Sequence, residues 1–251
     1  MTINMRKSKV LSKINPLFLK GVAHRGLYTK DNHDVSENSM KAFELAVKAG
    51  VPIELDIHLT KDNDLVVIHD EDLKRLTEKE GIVEHLSLKE LQEDYRLLDG
   101  SVIPSFNEVL DMVDEKVPMI VELKVYEKNY KALAEKAYEV LSTRIRDKKN
   151  FMLISFDPRS LWPMKKLGLI RLLLATPSHE YVYNLFRHTV EGVDLDQKFF
   201  ERKKFQNYHK RYLVNCWTIE TKEQLEKILP YVDTATFQYV DRKDIEELLT
   251  K

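Results

Sequence analysis

The sequence predicts an α/β protein, a TIM-type (β/α)8 barrel with a small inserted segment after the strand ending at His69. Three observations predict it. Apolar runs of strand length alternate with amphipathic helical stretches almost to the C-terminus, the pattern of a parallel sheet covered by helices. The length of 251 residues is close to the ~250 residues of one such barrel, although length alone also accommodates two small domains. The chain holds seven glycines, too few for a Gly-rich β-sandwich.

The expected strands are residues 20–24, 52–58, 65–69, 118–124, 151–156, 170–175, 192–196, 212–218 and 232–239. The expected helices are 38–49, 106–114, 129–145, 158–167, 179–190, 221–230 and 241–250. The first helix illustrates the reasoning. Ser36 can cap its N-terminus. Phe43, Ala46, Val47 and Gly50 follow at three- and four-residue steps and give an inward face. Gly50 suits the position just past the helix end, and Pro52 prevents continuation.

Nine strands for eight barrel places is one too many. The connection Thr60-Lys61-Asp62-Asn63-Asp64 is too short for a crossover helix, so 52–58 and 65–69 pair as a hairpin. One strand then extends the barrel without belonging to it, and the sequence does not say which. Residues 71–104 break the alternation. They are polar, hold one short helical pattern from Leu88 to Tyr95, and end in Ile103-Pro104. They read as an insertion over one rim, either shaping substrate access or decorating the surface. With no repeat, low-complexity tract or linker, residues 1–251 read as a single domain.

Bulk properties exclude several classes. Hydrophobic residues make up 43% of the chain, enough for a sizeable core. Charged residues are 32% with both signs mixed, and the net charge is −1, so no global field favours nucleic acid. The lone Cys216 lies in an apolar strand and reads as a buried small hydrophobe. The N-terminus carries Arg6, Lys7, Lys9 and Lys13, and its only apolar stretch, Pro16-Leu17-Phe18-Leu19, is too short for a signal-peptide core. No run approaches the ~18 apolar residues of a spanning helix. The expectation is a soluble cytoplasmic protein with no transmembrane segment. Its basic start straps the bottom of the domain or makes a weak membrane-surface contact.

Four strings carry the chemistry: His24-Arg25-Gly26, Glu54-Leu55-Asp56, His69-Asp70 and Glu122-Leu123-Lys124, each at the end of an expected strand. Alternate residues share one face of a strand, so Glu54 and Asp56 point together into a barrel otherwise walled by apolar groups. Two carboxylates there repel and lose hydration, and a divalent cation removes both problems. Glu122 repeats the pattern with Lys124 on its own face. The other reading is a Glu122–Lys124 or inter-strand ion pair filling the barrel. Carboxylate oxygens suit one divalent cation, Mg2+ or Ca2+ with Mn2+ possible, and no His/Cys cluster has zinc spacing.

His24 and His69 can act as base and acid on either side of a phosphorus centre. Asp70 can orient the His69 ring. Arg25 adds a cation, and Gly26 lets a ligand approach the backbone. His33, His58, His85, His179, His188 and His209 lack that setting and read as surface or filler, although His58 shares a face with Asp56. Trp217 ends a strand, where its ring either packs on the substrate's alcohol part or caps the core. The inventory suits metal-assisted cleavage of a phosphate ester.

These strings, with Glu37-Asn38, Thr60-Lys61-Asp62, Ile103-Pro104-Ser105-Phe106-Asn107-Glu108-Val109-Leu110, Ser155-Phe156 and Trp217-Thr218, resemble the glycerophosphodiester phosphodiesterases over nearly the whole chain. The resemblance implies a TIM-type barrel that cleaves glycerophosphodiesters to sn-glycerol 3-phosphate and an alcohol. It implies a divalent metal held by Glu54, Asp56 and Glu122, an acid–base pair of His24 and His69, and phosphate contacts from Arg25 and Lys124. The partner is then a small-molecule glycerophosphodiester. The alternative is a phospholipase D-like or lyase-type phosphodiesterase acting on a lysophospholipid or membrane lipid. The chain departs from the family pattern in two places. Ser36-Glu37-Asn38-Ser39 replaces Pro-Glu-Asn-Thr, and Gln238 stands where Asp is usual.

Overall fold

The computed structural model describes residues 5–249; residues 1–4 and 250–251, including the last position of the expected final helix, lie outside it. Among the described residues, nine strands form one sheet: β1 (Val22–Ala23), β2 (Ile53–Leu59), β3 (Leu65–Val67), β4 (Met119–Leu123), β5 (Phe151–Ser155), β6 (Ile170–Ala175), β7 (Gly192–Asp196), β8 (Leu213–Ile219) and β9 (Thr234–Phe237). All neighbours pair in parallel except β2 and β3, and β1 pairs with both β9 and β2, which closes an eight-stranded barrel. The ninth strand is β3, antiparallel to β2 with Ile57 opposite Val67 and outside the barrel.

The helices are α1 (Met5–Leu11), α2 (Met40–Ala49), α3 (Lys74–Thr77), α4 (Leu88–Asp94), α5 (Phe106–Val113), α6 (Tyr130–Arg144), α7 (Pro158–Met164), α8 (Glu180–Phe186), α9 (Lys222–Ile228) and α10 (Arg242–Leu249). The cap expected at Ser36 is Ser39, whose side chain accepts from the Ala42 N–H. Ser36 is buried one loop earlier and donates to the Asn32 carbonyl. The chain between them cannot be helical, because Asn38 sits at φ 55°. Gly50 ends α2 in the left-handed conformation, as its position implied.

The alternation of β2 sorts its residues. Ile53, Leu55 and Ile57 belong to the outer core with Phe43 and Ala46 of α2 and Phe106 and Val109 of α5. The barrel interior is a second apolar cluster containing Val22, Ile120, Met152, Leu172 and Leu213. The N-terminal segment does more than strap the surface, because Val10, Ile14 and Phe18 pack into this cluster and plug the bottom of the barrel. Full burial of a side chain such as Phe18 stabilises by about 1.5–3 kcal/mol. Lys7 is buried and paired with Asp233 at 2.5 Å. The plugged end lies opposite the strand ends that carry the four strings.

Residues 71–104 fold against β3 around a separate small core. Leu73, Leu76, Val83 and Leu91 pack there on Val66 and Ile68. A capping box of Ser87 and Glu90 starts α4. No helix among the described residues is long and apolar enough to cross a membrane.

Candidate active site

The C-terminal strand ends bring the expected residues together. One narrow pocket is lined by His24, Arg25, Glu54, His69, Glu122, Phe156, Asp194 and Trp217, among others. Glu54, Asp56 and Glu122 are buried, and each offers a carboxylate oxygen within 4.8 Å of the others. The register explains the convergence, since Asp56 on β2 lies directly beside Glu122 on β4.

Electrostatics separates the three acids. Burial pushes Glu54 well above the usual carboxylate range, and the charges of Asp56 and Glu122 push it further. Burial likewise raises Glu122, to about 7, against the pull of Lys124. Burial also acts on Asp56, but His69, Lys124 and Arg25 outweigh it and hold Asp56 below its ordinary value. Lys124 Nζ lies 3.3 Å from Glu122 and 3.7 Å from Asp56, and Arg25 Nε lies 3.5 Å from Asp56. Asp56 Oδ1 is buried without a hydrogen-bond partner. An acid trio that repels itself and leaves a buried oxygen without a hydrogen bond fits a hard divalent cation.

The histidines flank this cluster. His69 Nδ1 lies 2.5 Å from the Asp70 carboxylate, so Asp70 does orient the ring. His24 Nδ1 lies 2.6 Å from Gln238 Oε1, and its Nε2 faces Glu54 at 4.0 Å. Burial chiefly, and then the Arg25 charge, lowers His24 to about 3. Burial also lowers His69. Trp217 packs edge-on against Phe156, with centroids 5.9 Å apart.

Several contributors escaped the sequence reading. Asn38 donates to Asp56 Oδ2 at 2.9 Å. Glu37 holds the Arg25 guanidinium at 2.6 Å and also binds Arg75 from the insertion. Arg75 in turn grips Asp70, so the insertion braces the carboxylate behind His69. The Glu-Asn pair ahead of the first helix was the available signal. His58, read as surface or filler, is buried and ties Glu84 of the insertion to the His69 carbonyl. His179, read the same way, lies tilted against Phe156, with centroids 5.2 Å apart, in a wider cleft of about 590 Å³. That cleft adjoins the pocket at Glu122 and Phe156 and is walled by Val125, Trp162, Val182 and Phe186.

Gly26 serves a different purpose from the one expected. Its φ is +83°, and a Cβ there would lie 2.9 Å from the Ala42 Cβ. What approaches its backbone is α2. Gly26→Ala is expected to destabilise the fold by about 1–3 kcal/mol, measured as a lower urea midpoint; an unchanged midpoint would contradict this packing account.

Asp194 forms a buried polar floor with Asn215, which donates to Asp194 at 2.9 Å and to Thr236 at 2.8 Å. Burial raises Asp194 to about 7, against the Asn215 hydrogen bond. An unfolded Asp titrates near ~3.9. Between these values the folded chain holds a proton that the unfolded chain has lost. The contribution of this group to stability is therefore full at low pH and declines as pH rises toward about 7. Asp194→Asn should lose less thermal stability than wild type between pH 5 and pH 8; equal losses would count against it.

A barrel with this set of groups at its mouth defines an enzyme of the TIM-barrel kind, with its site at the C-terminal face. The model of the Glycerophosphoryl diester phosphodiesterase family matches residues 24–232. The chain belongs to that family of phosphoric diester hydrolases. It is similar to a glycerophosphodiester phosphodiesterase of Caldanaerobacter subterraneus subsp. tengcongensis, 28% identical over 239 residues, covering 83% of this chain and 88% of the relative. It is also similar to human lysophospholipase D GDPD1, 33% identical over 141 residues, covering 51% of this chain and 42% of the relative. Among solved structures, an Oleispira antarctica phosphodiesterase in complex with the product sn-glycerol-3-phosphate superposes with a TM-score of 0.77 at 22% identity, over 92% of this chain and 96% of that one.

Proposed function

We propose that this chain hydrolyses small glycerophosphodiesters to sn-glycerol 3-phosphate and an alcohol. The observation that carries this reading is a pocket lined by two imidazoles and Arg25 against a buried trio of carboxylates, which Lys124 reaches from the adjoining cleft. The product bound by the Oleispira relative supports the same product here. Glu54, Asp56 and Glu122 would hold one divalent cation, Mg2+, Ca2+ or Mn2+ by the oxygen donor set. Such a cation would supply positive charge opposite a phosphoryl oxygen.

The side chains divide the remaining work. Arg25, held by Glu37, and Lys124 offer charge-assisted hydrogen bonds to phosphate oxygens. His24 and His69 form the acid–base pair, one taking the proton of the attacking hydroxyl and the other protonating the departing oxygen. Trp217 and Phe156 wall the substrate. In this reading the whole chain acts as one catalytic unit, with residues 71–104 over one rim.

The apolar cleft beyond Phe156 favours a second reading, a lysophospholipid whose acyl chain lies against Val125, Trp162, Val182 and Phe186. The human lysophospholipase D relative is in keeping with it. The N-terminal basic residues offer it little, since they belong to the plugged end of the barrel. Turnover of glycerophosphocholine and lysophosphatidylcholine, compared at equal enzyme concentration, separates the two. The first reading expects the soluble diester to be the better substrate by kcat/KM, and a clear preference for the lysolipid would overturn it.

A further inference from the structure

The two histidines differ in what holds them. Behind His69 stands a carboxylate, whereas behind His24 stands the neutral amide of Gln238. An amide has a donating and an accepting end, so its orientation decides which proton the imidazole must carry.

Three groups contact that amide, and a fourth backs one of them. Gln238 Nε2 lies 2.6 Å from Glu220 Oε1, on the exposed side. Gln238 Oε1 receives the Tyr28 hydroxyl at 2.7 Å and faces His24 Nδ1 at 2.6 Å. Tyr28 in turn accepts from the Tyr239 hydroxyl at 3.1 Å. Hydroxyls and imidazoles adapt to either end of an amide, because each can donate or accept. Glu220, as a carboxylate, can only accept. Turning the amide over would set its oxygen against the Glu220 oxygen, two acceptors at hydrogen-bond distance with no proton between them. Glu220 therefore fixes the amide with its oxygen inward. Both lone pairs of that oxygen are then used, one by Tyr28 and one by a proton on His24 Nδ1.

We propose that Glu220, acting through Gln238, keeps a proton on His24 Nδ1, so that the neutral imidazole is the tautomer whose free lone pair is on Nε2, facing the carboxylate pocket. Both are positioning residues. In that tautomer His24 can accept a proton at Nε2. The consequence for catalysis rests on His24 belonging to the acid–base pair of the proposed function, whereas the tautomer itself does not. Gln238 thus replaces the usual Asp of the family pattern without loss of the acceptor, provided Glu220 supplies the orientation.

The test is long-range 1H–15N NMR of the full chain labelled at histidine nitrogens, with the His24 signals assigned by their absence from His24→Ala. The wild type is expected to show a pyrrole-type shift at His24 Nδ1 and a pyridine-type shift at Nε2. The reverse pattern in the neutral ring overturns the proposal. Glu220→Gln lets the amide turn over and should mix the two tautomers. It should also lower kcat in proportion to the competent tautomer lost, about twofold for an even mixture, with little change in KM. Unchanged nitrogen shifts in Glu220→Gln overturn the role of Glu220. Gln238→Leu removes the acceptor and should release the tautomer; if that variant does not fold, the wild-type and Glu220→Gln spectra still decide. The spectra need no turnover, so an inactive chain with the expected tautomer would count against the proposed function alone.

Discussion

His24→Ala and His69→Ala are each expected to lower the turnover of glycerophosphocholine at least ~100-fold, the low end for a positioned acid or base. Both rings line the same pocket, and each has its Nδ1 held from behind, so each presents Nε2 toward the reacting centre. Neither ring carries the fold, because the apolar core lies around and below them. The loss should therefore fall on kcat, with KM and the urea midpoint little changed. If the two rings act on one displacement, the double variant should lose far less than the product of the single losses, since groups that work as a unit are not additive. Near-normal turnover in both single variants would sink the acid–base assignment.

The second large effect concerns the carboxylate trio. Saturation with Mg2+, Ca2+ or Mn2+ at a hundred times the dissociation constant should stabilise the chain by about 2.7 kcal/mol, read as a rise in Tm over the EDTA-treated protein. Glu122→Gln separates this account from its rival. If Glu122 is a cation ligand, the variant relieves repulsion among the acids, is at least as stable as wild type in EDTA, and loses the cation-induced rise. If Glu122 and Lys124 are instead a structural ion pair, removing one partner costs about 3–5 kcal/mol and the wild type shows no rise.

The barrel and the main groups at its mouth were legible because both depend on local periodicity. Period-two alternation placed Glu54 and Asp56 on one face, and the apolar runs located all nine strands to within a few residues. The short connection at 60–64 announced the hairpin, but that β3 lies outside the barrel follows from closure between β1 and β9, a long-range pairing invisible in any window. Local reasoning failed where tertiary contacts override it. Ser36 looked like a cap, yet the left-handed Asn38 carries the chain past it to Ser39 and aims its own amide at Asp56. Gly26 looked like a ligand contact, and its missing side chain makes room for α2. Asp194 was hidden inside an apolar run, although the same alternation that revealed Glu54 places it on an inward face. Arg75 belongs to a helix of four residues, α3, with no periodic signal at all.

The most direct test of the central claim is release of sn-glycerol 3-phosphate from glycerophosphocholine and glycerophosphoethanolamine by EDTA-stripped enzyme, before and after a divalent cation is restored. The account predicts negligible release from the stripped enzyme and recovery with at least one of Mg2+, Ca2+ and Mn2+. Full release in EDTA, or none with any of the three cations, would contradict it.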